Sequence, residues 1–87
     1  MADWREIMEQ ADQAKCQMIV DQARGEQMFS DLILRVGNDG MVYFKRAEAY
    51  EALQMNNKAL EDYKKALALF PQDKWKRNAG DGIRRVS

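Results

Sequence analysis

The chain has 87 residues, 46 % of them apolar and 32 % charged, and its 14 basic and 14 acidic side chains cancel to a formal net charge of zero. That length and balance suit one small folded domain, and charge in bulk selects no partner. Histidine is absent and cysteine occurs once, which excludes Ser-His-Asp and Cys-His nucleophile pairs, histidine-bearing zinc sites, internal disulfides and CxxC pairs.

The spacing of apolar residues is helical throughout, so the expected fold class is all-α. Trp4, Ile7, Met8, Ala11, Ala14 and Met18 lay one stripe along an amphipathic helix, with Glu6, Glu9, Asp12 and Lys15 elsewhere on it. Met28, Phe29, Leu32, Ile33 and Val36 form a second apolar set that runs to Gly37-Asn38-Asp39-Gly40, a strong turn signal. Positions 18, 25, 29, 32 and 36 stay in phase across Asp21-Gln22. The pattern therefore leaves two readings open, a break near Val20 to Gln22 or one continuous helix from about Asp3 to Val36. A third helix is expected from Met41 to Leu53, a break at Gln54-Met55-Asn56-Asn57, and a fourth from Lys58 to Phe70, stopped by Pro71. Asp73 is placed to cap a last helix whose stripe is Trp75, Ala79, Ile83 and Val86, with Gly80 and Gly82 as weak points inside it.

Sliding the chain by 34 residues sets Val36-Gly37-Asn38-Asp39 on Phe70-Pro71-Gln72-Asp73. The 87 residues then divide into units 6–39 and 40–73 and a half unit 74–87. With Tyr43, Ala47 and Tyr50 on its first helix and Ala59, Tyr63, Ala66 and Pro71 after them, 40–73 resembles the tetratricopeptide repeat, a 34-residue helix-turn-helix. The window 6–39 is a degenerate match: Gly25 and Phe29 fit, but Gln13, Cys16 and Leu32 do not. The resemblance implies two antiparallel helix pairs and a C-terminal capping helix over 74–87. Small residues would let helices approach, with the tyrosines filling the spaces between layers.

In that family the first helices of the repeats line a groove that holds a peptide or a helix of a partner protein. The resemblance therefore implies a protein-interaction module or adaptor, not an enzyme. Carried onto this chain, groove places fall on Met41, Phe44, Lys45, Glu48 and Glu51 in the good repeat, and on Ile7, Ala11, Ala14 and Met18 in the weak one. Core packing competes for every apolar member of that set, above all for Met18, together with Phe29 and Leu32. Met41 and Phe44 are the more open candidates, because Tyr43, Ala47 and Tyr50 already supply a packing stripe on their helix. Some family members grip a C-terminal carboxylate with several lysines, asparagines and an arginine. Here only Lys45 falls on a basic place of that kind, too little for a multidentate grip.

Residues 1–39 carry four basic and eight acidic side chains and residues 74–87 five basic and one acidic, so the two ends differ in sign. Lys74, Lys76, Arg77, Arg84 and Arg85 around Trp75 form a minimal basic patch, but without overall basic bias nucleic acid is not expected as a partner. Carboxylate pairs such as Glu48 with Glu51 sit on solvated helix faces and lack a device for acid-base work. Neither Gly37-Asn38-Asp39-Gly40 nor Gly80-Asp81-Gly82 holds a phosphate-loop lysine or alternating calcium ligands, so no cofactor and no metal is expected. Cys16 as a lone thiol points to the cytoplasm. Ala2-Asp3-Trp4-Arg5-Glu6 is too charged for a signal peptide, and apolar runs such as Leu32-Ile33-Leu34 are far short of the roughly 20 residues that span a bilayer. Two repeats are fewer than the usual three, so self-association into a homodimer without a free groove stands as the alternative function.

Overall fold

The computed structural model describes residues 3–87. Five α-helices follow one another: α1 (Trp4–Val20), α2 (Gln22–Val36), α3 (Gly40–Ala52), α4 (Asn56–Leu69) and α5 (Asp73–Val86), with no strand among the described residues. Helices α1 and α2 pack as one hairpin and α3 and α4 as a second, α1 also lies along α3, and α5 covers α4.

The break between α1 and α2 is a single residue. Asp21 is extended, at φ −144° and ψ 97°, and its carboxylate accepts the Arg24 backbone N–H at 3.3 Å, capping α2 as the chain reverses. Four residues on, Gly25 meets α1 so closely that a Cβ there would lie 2.2 Å from Met18 Cα. A capping carboxylate and a glycine at the crossing overturn the continuous-helix alternative.

The other boundaries have equally local causes. Gly37 turns the chain at φ 78° and ψ −156°, a region open essentially to glycine alone. Asp39 then caps α3 by accepting the Met41 N–H at 2.9 Å. Helix α3 ends in a Schellman-type turn, in which Met55 N–H reaches Tyr50 O at 2.8 Å and Gln54 N–H reaches Glu51 O at 2.9 Å. Gln54 takes the left-handed place there, at φ 61°, where glycine is usual. Helix α4 starts at Asn56, two residues ahead of the expected Lys58, and stops at Leu69 before Pro71. The cap of α5 is Gln72, so the expectation that Asp73 caps it is corrected. Asp73 instead stands in the first turn, where its negative charge complements the helix dipole.

Because α3 packs on all four other helices, it is buried on nearly every side: Gly40, Met41, Val42, Tyr43, Phe44, Ala47, Ala49 and Tyr50 are all covered. Ala47, Ala59, Ala66 and Ala79 are fully enclosed where helices approach, and Gly82 of α5 sits where a Cβ would fall 2.5 Å from the Tyr63 ring. The tyrosines span layers and end on polar partners. Tyr50 Oη donates to Glu26 Oε2 at 2.6 Å, joining α3 to α2, and Tyr63 Oη donates to Glu51 Oε1 at 2.6 Å, joining α4 to α3. Asp62 is 3 % exposed and is held in a bidentate pair by Arg46, with Nε to Oδ2 at 2.7 Å and Nη2 to Oδ1 at 3.0 Å. That geometry satisfies a buried carboxylate which burial alone would penalise.

Candidate functional site

Helices α1, α3 and α5 share one face of the molecule. Between α3 and α5 this face opens into a hollow of about 300 Å³ lined by Phe44, Lys45, Glu48, Trp75, Asn78, Asp81 and Arg85. On the α1 side its wall is a chain of ion pairs: Lys45 Nζ lies 2.9 Å from Asp12 and 3.5 Å from Glu48, and Glu48 in turn lies 3.3 Å from Lys15. On the α5 side Arg85 donates to both oxygens of Glu51, at 2.8 and 3.1 Å, and to Tyr63 Oη at 3.3 Å. Arg84 pairs with Asp81.

These contacts set the charge states. Burial pulls the Lys45 ammonium down, but the bonds to Asp12 and Glu48 outweigh it and raise its pKa above the usual lysine value. The hydrogen bond from Arg85 holds the Glu51 carboxyl below the usual range, against a smaller opposing effect of burial. Burial, followed by the hydrogen bond to a carboxylate, raises the hydroxyls of Tyr50 and Tyr63 well above the ordinary tyrosine value. The face is therefore charged yet internally neutralised. Each of Lys15, Lys45, Arg84 and Arg85 has a carboxylate of the same chain beside it.

The lower end of the hollow is aromatic. Trp75 stacks on Phe70 with ring centroids 5.7 Å apart and meets Phe44 edge-on at 6.0 Å, and Phe44 is edge-on to Phe70 and Tyr63 at 5.9 and 5.7 Å. Trp4, in the first turn of α1, reaches across to Trp75 at 6.2 Å.

Of the residues named from the sequence, Phe44, Lys45 and Glu48 line this hollow, whereas Glu51 does not line it and lies behind Arg85, engaged by Arg85 and Tyr63. Met41, Ala14 and Met18 do not line it either. All three are buried among the helices, as are Ile7 and Ala11, so the groove role expected for them is corrected to core packing. Met41 is covered because α3 is enclosed by its neighbours rather than packed along one stripe. The places on α1 fail for a reason of register. Gly25, Phe29 and Leu32 of α2 do stand 34 residues before Ala59, Tyr63 and Ala66, all of them buried. Lys15, however, pairs with Glu48 33 residues away, and the enclosed Ala14 likewise precedes the enclosed Ala47 by 33. A 34-residue transfer thus moves each place on α1 one residue too early and lands on the buried stripe, missing Asp12 and Lys15.

Asn78 is not singled out in the sequence, where 74–87 is taken as a cap, Arg85 is weighed only within a basic patch and Asp81 only as a metal or phosphate-loop residue. A signal existed: adding 34 to Met41, Phe44 and Glu51 gives Trp75, Asn78 and Arg85, the inward side of α5. Among the described residues no group of three or more Cys, Asp or Glu is arranged to hold a metal ion, and no helix is long and apolar enough to cross a membrane.

Residues 40–73 match the family model of the tetratricopeptide repeat, the window that carried the resemblance in the sequence. No curated protein and no solved structure matches the chain. The helical hairpins of the fold agree with that repeat, and repeats of this family are in general protein-interaction modules rather than catalysts.

Proposed function

We propose that the chain is a protein-interaction module that holds a peptide or helix of a partner protein against the shared face of α1, α3 and α5, without catalysing a reaction. The observation that carries this reading is the hollow itself. It combines an aromatic end with half-buried polar side chains, Lys45, Glu48 and Asn78, that orient a ligand backbone. In this reading residues 1–87 act as one unit, with 6–39 a degenerate repeat, 40–73 a full repeat and 74–87 a capping helix that also furnishes part of the site. The contacting residues are Phe44, Lys45 and Glu48 together with Asn78, Asp81 and Arg85, with Glu51 behind Arg85. A single exposed thiol, Cys16, suits the cytoplasm as its place of action. A free face is favoured over the alternative of a self-association unit by α5, which covers Tyr63 and, through Trp75, Phe44.

The test is selection of random peptides displayed against the folded chain, with binders mapped by backbone amide shifts. Binders are expected to perturb Glu48 and Asn78 and to lose about tenfold in affinity, roughly 1.4 kcal/mol, in the double variant Glu48→Ala, Asn78→Ala. Binders that map elsewhere, or a library that yields none against a chain whose melting is cooperative, overturn the reading.

A further inference from the structure

Resting on that reading of the groove, we propose that its aromatic end is an anchor site for an aromatic side chain of the partner, and that Trp4 occupies this site in the free protein as an internal ligand. The rings forming the site are not equally held. Trp75 is fixed by Phe70 and Phe44, both buried, and Lys74 lies 5.8 Å over its ring. Trp4 is 45 % exposed, and Trp75 is the ring it meets. Its turn is the first of α1, where the Asp3 side chain makes no capping hydrogen bond, and the backbones of α1 and α5 lie apart. The contact between Trp4 and Trp75 therefore bridges the two edges of the face through side chains rather than through packed helices. One indole already rests against Trp75, and it is the most exposed ring of the cluster.

Charge selects against the other plausible ligand group. A carboxylate would have to take Lys45 from Asp12 and Glu48, Lys15 from Glu48 or Arg85 from Glu51, breaking a bond already made each time, or settle on Lys74 alone over the Trp75 ring, a single point charge where a firm grip needs several donors. An aromatic ring displaces one half-exposed indole. The partner is thus a segment that presents a phenyl or indole ring, and its affinity depends little on salt, because no net charge is neutralised on binding.

The two tryptophans give two indole N–H signals, which makes the site directly readable by ¹⁵N-labelled spectra. The probes are N-acetylphenylalanine amide, N-acetylalanine amide as the ring-free control, and N-acetylphenylalanine with its free carboxylate. The phenylalanine amide is expected to shift both indole signals, with little change between about 50 and about 500 mM salt, whereas the alanine amide shifts neither. In Trp4→Ala the Trp75 signal is expected to report tighter binding, about threefold or more if Trp4 fills the site most of the time, because the internal competitor is gone. Trp4→Gln repeats the measurement with a different side chain, and a thermal melt of each variant verifies its fold. The proposal is overturned if Trp75 is unmoved in all three chains, or if both Trp4 variants bind more weakly, which makes Trp4 a wall of the site rather than its occupant. Stronger, salt-sensitive binding of the free carboxylate overturns it too. Library peptides that bind at Glu48 and Asn78 without moving either indole sink the anchor and leave the groove, whereas failure of every probe and peptide sinks both.

Discussion

Replacing Gly25 by alanine tests the hairpin on which the first half of the fold depends. The new Cβ would lie 2.2 Å from Met18 Cα and Cβ and 2.4 Å from Met18 N, so the overlap is largely with backbone that no rotamer change can clear. Carbon atoms rest at about 3.5 Å, so α1 and α2 must separate by roughly 1.3 Å at their crossing, loosening Met18, Phe29 and Leu32 together. Overpacking of this kind costs about 1 to 3 kcal/mol, and a backbone clash belongs at the upper end. The intrinsic helix gain of alanine over glycine returns about 0.8 to 1 kcal/mol. The net loss is about 2 kcal/mol, a fall in Tm of roughly 8 to 16 °C for a chain of this size. Gly80 is the internal control, a helical glycine whose Cβ would meet nothing within 4 Å. Gly80→Ala collects the propensity gain alone, a rise of roughly 3 to 8 °C. Circular dichroism melts of both variants read the difference. If Gly25→Ala melts at or above the wild type, α1 and α2 do not cross at Met18, and the continuous helix returns.

Gln54→Gly relieves the left-handed φ of 61° and is expected to stabilise by about 1 kcal/mol, seen as a higher denaturant midpoint with unchanged slope. Arg46→Ala strands the Asp62 carboxylate, which is 3 % exposed, and is expected to cost about 3 to 5 kcal/mol, while adding Asp62→Asn recovers much of the loss in a double-mutant cycle. The hydroxyls of Tyr50 and Tyr63 have folded pKa values raised above the unfolded value near 10. Their contribution is therefore complete below pH 10 and lost as pH rises above it, and unfolding followed by tyrosinate absorbance should begin in that alkaline range. Tyr50→Phe together with Tyr63→Phe should flatten the alkaline slope, and an unchanged slope refutes the assignment. For Glu51 the sign is opposite: its lowered pKa adds stability that is present above the usual glutamate value and lost as pH falls through the folded one. Arg85→Gln should flatten the acid limb. Light scattering under reducing conditions should give a mass near 10.1 kDa that does not change with concentration, whereas about twice that mass favours the self-association unit.

How far the fold was legible follows from where its signals reside. The boundaries at Gly37 to Gly40 and at Pro71 rest on residues whose backbone preferences act locally, so composition alone finds them. The break at Asp21 is marked only by a residue favoured at helix N-caps, which leaves the continuous helix open as a second reading. Apolar spacing runs through that point in phase, and what breaks the helix is a local side-chain cap at Asp21 together with a crossing at Gly25, the second of which exists only once α1 and α2 are paired. The site was half legible for a related reason. Phe44, Lys45 and Glu48 came from a repeat that obeys its period, but Asp12 and Lys15 lie one residue out of that period, and Asn78 and Arg85 lie on a helix whose exposed charges read as solvation. Met41 falls in the core because a stripe argument presumes one buried face, whereas α3 is enclosed on nearly every side.

Under the proposed function, helix α5 joins stability to recognition. Its Gly82 lets the Tyr63 ring approach, and Ala79 and Val86 complete the core on the same side. A quarter turn away, Trp75, Asn78 and Arg85 enter the hollow. Arg85 belongs to both roles: it holds Glu51 and Tyr63, which tie α3 to α4, and it stands in the wall where a ligand would lie. A deletion of 74–87 would therefore remove the site and uncover the core at once, and loss of binding in such a truncation says nothing about recognition. Substitutions on the inward side of α5 that leave Ala79, Gly82 and Val86 in place can separate the two roles. Asn78→Ala is the cleanest, because no hydrogen bond of its side chain is among those that join the helices. It should change stability by no more than about 0.5 kcal/mol, roughly 2 to 4 °C in Tm, as for other half-exposed positions outside a bonded network, while lowering affinity for groove ligands.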